Sequence, residues 1–441
     1  MADEHAVPVW AWLPGRDEPV LAAELITDGQ LGGRLSYAPA YVADAAAHAF
    51  DPVALPLRHK ARGIRFTGAH GLPGALHDAC PSGYGADLLQ ADHGRSLSAL
   101  ELLALGAGDT IGALEVCHDI DRKLAFRAPD LSELAALVRE LDEGQSPSRA
   151  IRRLLGDGAT SAGGDRPKAT ITSDGRLWLA KMQDRSDMPF LPAKEFVVMR
   201  LAAASGITVP EVRLESVAGH HVYLIERFDR LGDPRRPQRR SFVSAHTALR
   251  LGPASTPGDP ARSYLVLADM LRRWGGANPA LADDLTELWR RMAFNALVGN
   301  ADDHPRNHGF YRLDGAWRLS PAFDITPLST YRGVLRLAVG ADGSAEATAG
   351  RLLQSAPHFG VAPTDAADWL HDTAVRVHDR WADELTRLGT PPDVVAGLWP
   401  AFTLSADLAE GRVDAGALAD ALQAAQTTRV RRGLPVGGLR R

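Results

Sequence analysis

Apolar residues at Leu131, Leu134, Leu137, Val138 and Leu141 recur every three or four positions and draw one stripe along a predicted helix. Asp130 and Glu133 form a capping pair at its start, and Gly144 and Pro147 close it. A second stripe, Leu285, Leu288, Trp289, Met292 and Ala296, predicts a buried helix capped by Asp284 and Glu287 that stops at Gly299. A third helix is expected from Pro192 to Ser205, because Pro suits a first turn and Gly206 a C-terminal stop. Further helices are expected over Tyr41–Ala49 and, two or three of them, over Asp365–Gln426. Residues 7–12 and 62–67, Ala113–Val116, Arg176–Met182 and Gly309–Arg312 read as strands, and Val212–Val217 with His221–Glu226 as a hairpin.

These blocks group into three parts. Residues 1–126 form an α+β unit that contains the Pro-broken run Asp51–Leu57, residues 127–240 mix strands with two helices, and residues 241–441 are mostly helical. A chain of 441 residues suits two or three packed units. With 45% hydrophobic and 23% charged residues it has the composition of a soluble globular protein. The net charge of −5 excludes a whole-chain basic footprint for nucleic acid. Two distant cysteines, Cys80 and Cys117, argue against a disulfide framework or zinc site and fit a reducing cytoplasm. No signal peptide and no membrane span is expected. The arginines at 429, 431, 432, 440 and 441 read as a solvated end.

The chemistry concentrates in Gly299-Asn300-Ala301-Asp302-Asp303-His304-Pro305-Arg306-Asn307-His308-Gly309-Phe310, a loop between the buried helix and a strand, and in Leu319–Asp324 shortly after it. A single Asp pair would be explained by helix capping. Acids, amides and histidines at this density ask for more. Phosphoryl transfer needs a carboxylate to accept or orient a hydroxyl proton, and a second carboxylate with an amide oxygen to hold Mg²⁺ against phosphates. Protein kinases space the base and the metal-binding Asn five residues apart, as Asp302 and Asn307 are, with the second metal Asp following near a strand end, as Asp324 does. The HRD tripeptide is absent, so the match is one of spacing. That interval selects Asp302 over Asp303, which is expected to turn away toward a backbone N–H or an arginine.

The phosphate end needs cations and a backbone cradle. Lys181 lies in an apolar strand and Glu195 follows on the next helix, the order in which kinases place a phosphate-binding Lys and its positioning Glu. A lysine at a strand end also has the ordinary reading of a snorkelling side chain. Ser161–Lys168, with Gly163 and Gly164, is a loop whose backbone could approach phosphate. Glu226-Arg227-Phe228-Asp229-Arg230 ends the hairpin where kinases carry the adenine hinge, and a salt-bridged strand end explains it equally well.

Together these segments resemble the HipA family, the serine/threonine kinase toxins of bacterial type II toxin–antitoxin modules. The resemblance rests on Ser161–Lys168, Trp178–Lys181, Ile225–Arg230, Asn300–Asn307 and Leu319–Asp324, with Asp51–Leu57 and Gly71–Leu89 similar to the family's N-terminal subdomain. It implies a two-lobed protein-kinase-like α+β fold with an added N-terminal α+β subdomain (1–126), an ATP-binding N-lobe (127–240) and a helical C-terminal lobe (241–441). It implies Asp302 as catalytic base, Asn307 and Asp324 as Mg²⁺ ligands, and Gly163, Gly164, Asp165, Arg166, Lys168, Lys181 and His304 as ATP contacts, with Glu226 and Phe228 offering backbone groups to adenine. Ser161 stands where family members autophosphorylate. The implied partners are a small helix-turn-helix, HipB-like antitoxin, DNA mainly through that antitoxin, and a protein substrate of the aminoacyl-tRNA synthetase kind. Phe323 departs from the family's Tyr, and Gly83-Tyr84-Gly85 from its Trp-Gly-Arg; the second change alters a surface that would meet a partner. Two other readings share these residues: a kinase of small molecules, and a silent nucleotide-binding regulator. The second fits poorly with Lys181, Asp302, Asn307 and Asp324 all being present.

Overall fold

The computed structural model describes residues 6–28, 31–58, 63–142, 166, 168–183, 188–217, 219–252, 254–276 and 278–431. They fall into two compact units: Met1–Met188 with Pro210–Pro253 and Phe310–Gly315, and Pro189–Val209 with Ala254–Gly309 and Ala316–Arg441. The three parts expected from the sequence follow chain order, and the compact units do not.

Two antiparallel sheets, of five and four strands, dominate the first unit. One runs in the order β4-β3-β2-β1-β5, from Val7–Trp12 (β1), Pro19–Thr27 (β2), Gly32–Tyr37 (β3), Ile64–Thr67 (β4) and Leu114–Val116 (β5). The other runs β6-β7-β9-β8, from Lys168–Ser173 (β6), Arg176–Lys181 (β7), Val212–Val217 (β8) and His220–Glu226 (β9). The alternation along β7 sends Trp178 and Ala180 into a core with Ala169, Ile171 and Leu224. Leu88 and Leu89 of helix Tyr84–His93 and Leu134 of helix Leu131–Asp142 close the same core. Chain before and after residue 126 therefore shares one interior.

The expected capping pair is present: the Asp130 N–H donates to Glu133 Oε2 at 2.7 Å, and the Glu133 N–H to Asp130 Oδ1 at 2.9 Å. Elsewhere tertiary structure overrode local preference. The central strand β2 reads Leu-Ala-Ala-Glu-Leu at its middle, good helix formers, and is a strand because it pairs on both edges. At Gly33 in β3 a Cβ would stand 2.2 Å from the Ile26 carbonyl oxygen, so only glycine permits that approach. The helix expected over Tyr41–Ala49 is confined to Pro39–Ala43, because Asp44 Oδ1 captures the Ala46 N–H at 2.9 Å and turns the chain. The strands β2, β3 and β6 and the helices Tyr84–His93 and Ala99–Leu105 had no expectation at all.

The second unit is helical. Its helices include Leu191–Ala204, Tyr264–Trp274, Leu281–Leu297 and the long Pro363–Arg387, followed by Pro392–Ala396, Thr403–Ala409 and Ala415–Arg431. Four α-helices thus occupy the stretch where two or three were expected. Leu281–Leu297 begins a turn before Asp284, so Asp284 is no cap. Its buried carboxylate takes Asn278 Nδ2 at 2.8 Å, Arg318 Nε at 2.6 Å and the Leu319 N–H at 3.3 Å. Among the described residues no helix is long and apolar enough to cross a membrane.

The segment Arg227–Arg239 of the first unit is the node of a buried ion cluster. Asp229 Oδ2 accepts from Arg227 Nη2 at 2.9 Å, Arg230 Nη1 at 2.7 Å and the Gly112 N–H at 2.8 Å, while Arg227 also pairs with Asp109. Glu115, fully enclosed, takes Arg239 Nη1 at 2.9 Å and lies 3.3 Å from Lys123 Nζ. Arg227 Nη1 reaches Thr170 Oγ1 at 3.1 Å, which ties the cluster to β6. The Arg227–Arg230 motif is thus first of all the structural salt-bridge arrangement that the sequence left open, on a larger scale.

Burial alone would raise the Asp229 carboxyl, but the charges of Arg227 and Arg230 outweigh it and hold the group well below the usual carboxylate range. Because the folded value is depressed, the stabilisation is complete above the unfolded value of roughly 4 and is lost as pH falls through the folded value. Asp229→Ala strands two buried guanidiniums and should cost about 3–5 kcal/mol at pH 7. Urea denaturation at pH 7 and pH 3.5 should show the wild type losing more stability between the two than the variant does.

Candidate active site

The acidic loop lies in the second unit. Helix Leu281–Leu297 ends at Gly299, which has φ +62° and would place a Cβ 2.5 Å from Ala401 Cα, so no other residue fits the turn. Asn295 on that helix accepts the Asn300 N–H on its carbonyl at 2.9 Å and Asn300 Nδ2 on its side-chain oxygen at 3.1 Å. Arg336 Nε holds the Ala301 carbonyl at 3.2 Å. The loop is therefore fixed at its entry before the acids are reached.

Asp302 and Asp303 point apart. Asp303 is only 1% exposed; its Oδ1 lies 2.5 Å from His308 Nε2, and its Oδ2 accepts from the Tyr264 hydroxyl. Asn295 Nδ2 donates to the same Tyr264 oxygen at 3.0 Å. Asp303 turns inward as expected, but its partners are an imidazole and a phenol. Burial, followed by the charge of Asp303, pushes the Tyr264 hydroxyl far above its usual value, so the phenol remains a donor. Asp302, by contrast, is exposed. Its carbonyl accepts from the His304 N–H at 2.8 Å and from Asn307 Nδ2 at 3.0 Å.

That last bond orients Asn307. The residue sits in the short 3-10 turn Pro305–Asn307, and committing its NH₂ to the loop leaves the amide oxygen as the atom to present to a hard cation. The segment carrying Asp324 runs beside the loop, with the Ser320 N–H on the Gly309 carbonyl at 2.9 Å and the Leu328 N–H on the Gly299 carbonyl at 3.0 Å. Asp324 lies between these anchors with φ +62°, a left-handed conformation that a non-glycine residue adopts only where its surroundings enforce it. Asp284, through Arg318 and Leu319, fixes the approach to this segment. An amide oxygen and a carboxylate are the donor types Mg²⁺ prefers when phosphate oxygens and water complete its shell, so Asn307 and Asp324 suit it. His304 is half-buried, and its enclosed Nδ1 has no hydrogen-bond partner among the described residues.

The phosphate-side candidates lie mostly in the first unit. Lys168 on β6 and Lys181 on β7 are directly opposite each other, so two ammonium groups share one face of the sheet, where an anion is favoured. Lys181 Nζ also lies 5.7 Å from the Tyr223 ring centroid. Glu226 belongs to β9 and its side chain accepts from Arg176 Nη1 at 3.1 Å. The Phe228 carbonyl accepts from Arg240 Nη1 at 3.1 Å. Arg166 is exposed. Ser161, Gly163, Gly164 and Asp165 lie outside the described residues. Glu195 is buried on helix Leu191–Ala204 of the second unit. Sequence reasoning missed Tyr264 and Asn295 and gave His308 no role; none carries a local signal, since their meaning depends on Asp303 being inside.

The sequence profile of the HipA-like C-terminal domain matches residues 160–381, half of the chain, and so contains the whole acidic loop, Asp324 and the lysine strand. The chain belongs to the HipA family. A relative from Sinorhizobium fredii, provisionally named kinase Y4mE, is 31% identical over 245 residues, 51% of this chain and 56% of the relative. The serine/threonine-protein kinase toxin HipA of Shewanella oneidensis is 28% identical over 153 residues, 32% of this chain and 35% of that protein. This HipA-family chain therefore matches about half or less of the length of these curated relatives. Among solved structures, the Shewanella oneidensis complex of HipA, HipB and operator DNA superposes with a TM-score of 0.66 at 18% identity, covering 94% of this chain and 99% of that one. The fold is accordingly the α+β, kinase-like fold of HipA.

The two acids should separate in stability. Asp303→Ala leaves His308 and Tyr264 without their buried acceptor and should cost about 3 kcal/mol or more. Asp302→Ala, on an exposed side chain, should stay within about 0.5 kcal/mol of wild type. Urea midpoints of the two variants check both.

Proposed function

We propose that this chain is an ATP- and Mg²⁺-dependent serine/threonine protein kinase that acts as the toxin of a toxin–antitoxin module. The observation that carries the reading is the bond from Asn307 Nδ2 to the Asp302 carbonyl, with Asp302 exposed and Asp303 buried. It puts a solvent-facing carboxylate and an amide oxygen on one rigid loop, the two functions that hydroxyl phosphorylation requires. The family membership and the kinase names of the relatives support the same reading.

In this mechanism Asp302 accepts the proton of the substrate hydroxyl as its oxygen bonds to the γ-phosphorus and the bond to the leaving ADP oxygen breaks. Bound Mg²⁺ supplies charge neutralisation at the phosphates. Asn307 and Asp324 hold the metal by their oxygens. Lys181, Lys168 and Arg166, with the backbone of Gly163, Gly164 and Asp165, hold the phosphates, and Glu195 positions Lys181. His304 contacts the nucleotide from the acidic loop, and backbone groups of Glu226 and Phe228 take the adenine. Ser161 is the autophosphorylation site. The partner is a small HipB-like helix-turn-helix antitoxin, through which DNA is met indirectly, and the substrate is a protein such as an aminoacyl-tRNA synthetase. The solved Shewanella complex, which contains HipA, HipB and operator DNA, supports the partner by its composition.

Loss of the base should lower the rate about 10²–10⁴-fold, so Asp302→Asn should nearly abolish transfer of labelled phosphate from ATP while melting like wild type. A folded Asp302→Asn protein with full activity would overturn the base assignment. Asp324→Asn removes a charged oxygen donor and should raise the Mg²⁺ concentration needed for half-maximal transfer at least tenfold; an unchanged Mg²⁺ titration would remove Asp324 from the metal site.

A further inference from the structure

The chain that follows the Asp324 segment in the second unit turns a charged strip to solvent beside the acidic loop. Exposure alternates along it: Tyr331, Leu335 and Leu337 are buried, whereas Arg332, Val334 and Arg336 are exposed. Backbone bonds hold the strip at both ends. Before it, the Tyr331 N–H donates to the Leu328 carbonyl at 2.9 Å, and the Leu328 N–H to Gly299 at the loop entry at 3.0 Å. After it, the Ala338 N–H donates to the Arg262 carbonyl at 2.8 Å. The Arg336 Nε bond to the carbonyl of Ala301, the residue before Asp302, joins the strip to the loop that carries the proposed base.

The charges of this strip are unmatched. Arg332 spends one nitrogen on the Ser329 and Tyr331 carbonyls, and Arg336 spends its Nε on Ala301. A guanidinium carries five donors, so both keep N–H groups for a ligand. Among the described residues no acid is paired with either. Glu346 lies opposite Val334 across an antiparallel bridge, but it and Asp342 are both engaged by Arg351, at 3.6 Å and 2.7 Å. A third cation stands close by. Burial, then the charge of Arg336, pushes the Arg262 guanidinium below its usual value against the pull of Asp259. Val334 alone, 50% exposed, would be an ordinary surface residue. Between two arginines that lack acids, on a segment bonded to the loop of the base, it becomes the apolar centre of a pattern.

We propose that Arg332, Val334 and Arg336 select the acceptor segment of the substrate protein, an extended peptide with acidic residues on either side of an apolar one, close to the hydroxyl to be phosphorylated. The inference rests on the kinase reading above and names the local chemistry of its substrate. An extended peptide turns every second side chain to one face, which matches the alternation of the strip. Its carboxylates meet the arginines in charge-assisted hydrogen bonds, and its apolar side chain covers Val334. A nucleic acid would offer phosphates to the arginines but nothing suited to the valine between them, so a peptide fits better.

Fluorescence anisotropy of labelled peptides on the full chain tests the strip. Each peptide carries a serine and a leucine flanked, one residue away on each side, by two aspartates, two asparagines or two lysines. At low salt wild type should bind the aspartate peptide about fivefold more tightly than the asparagine one, an advantage that shrinks as salt rises. Arg332→Glu/Arg336→Glu, checked by its melting temperature, should reverse the order and favour the lysine peptide, a swap that mere loosening of the loop would not produce. Arg332→Glu alone, which leaves Arg336 on Ala301, should lose part of the preference. Transfer of labelled phosphate from ATP should follow the same order of peptides. Selective binding without transfer to any peptide would support the strip as a docking surface and count against the kinase reading alone. Three results would overturn the proposal: no preference of wild type for the aspartate peptide, the same preference kept in both variants, or a single-stranded oligonucleotide binding more tightly than the aspartate peptide.

Discussion

An ionised carboxylate inside a protein must be matched at once by donors, and the acidic loop is built around that requirement at Asp303. Its two oxygens are taken by His308, from the far end of the loop, and Tyr264, from a separate helix. Asn295 bonds to the same tyrosine and to Asn300, so the helix before the loop, the loop entry and the loop exit form one satisfied polar network. With Asp303 committed inward, its neighbour is left outward. The chemistry proposed for Asp302 is thus a consequence of where Asp303 is buried, and the Asn307 amide bonded to the Asp302 carbonyl carries the same rigidity to the metal side.

A second buried ionic network organises the first unit. The segment from Arg227 to Arg239 is enclosed by Asp109, Glu115 and Lys123, which lie more than a hundred residues earlier in the chain. Such clusters are weak sources of net stability, because desolvation offsets most of the attraction, but breaking one is costly. Their effect here is positional. They hold the end of β9, with Glu226 and Phe228, at a defined place relative to the first sheet of the same unit. The family motif in this segment therefore has a structural duty besides any contact with adenine.

The elements legible in the chain were those whose own pattern sufficed. The helix from Leu131 carries its stripe and its capping pair, β7 carries its apolar run, and Leu281–Leu297 carries a full buried face. Where elements were missed, local chemistry pointed elsewhere. The helix formers in β2 pair on both edges as a strand, and Asp44 ends a helix that the residue types around it would continue. Asp284 looked like a cap and is a buried anchor for Arg318, because the Arg that claims it is 34 residues away.

By itself the sequence determined the chemical inventory: which acids, amides and lysines are present, in what order, at what spacing, and hence the family. Side-chain period and capping are local properties, so the elements that depend on them alone could be read directly. The tertiary structure decided the direction of each of those groups. It chose which of two adjacent aspartates is buried, made Asn307 present its oxygen by occupying its nitrogen, forced Asp324 into a left-handed turn, and gathered five charged side chains from distant segments around Asp229 and Glu115. Burial and hydrogen-bond satisfaction depend on residues far apart in the chain, and no local pattern records them.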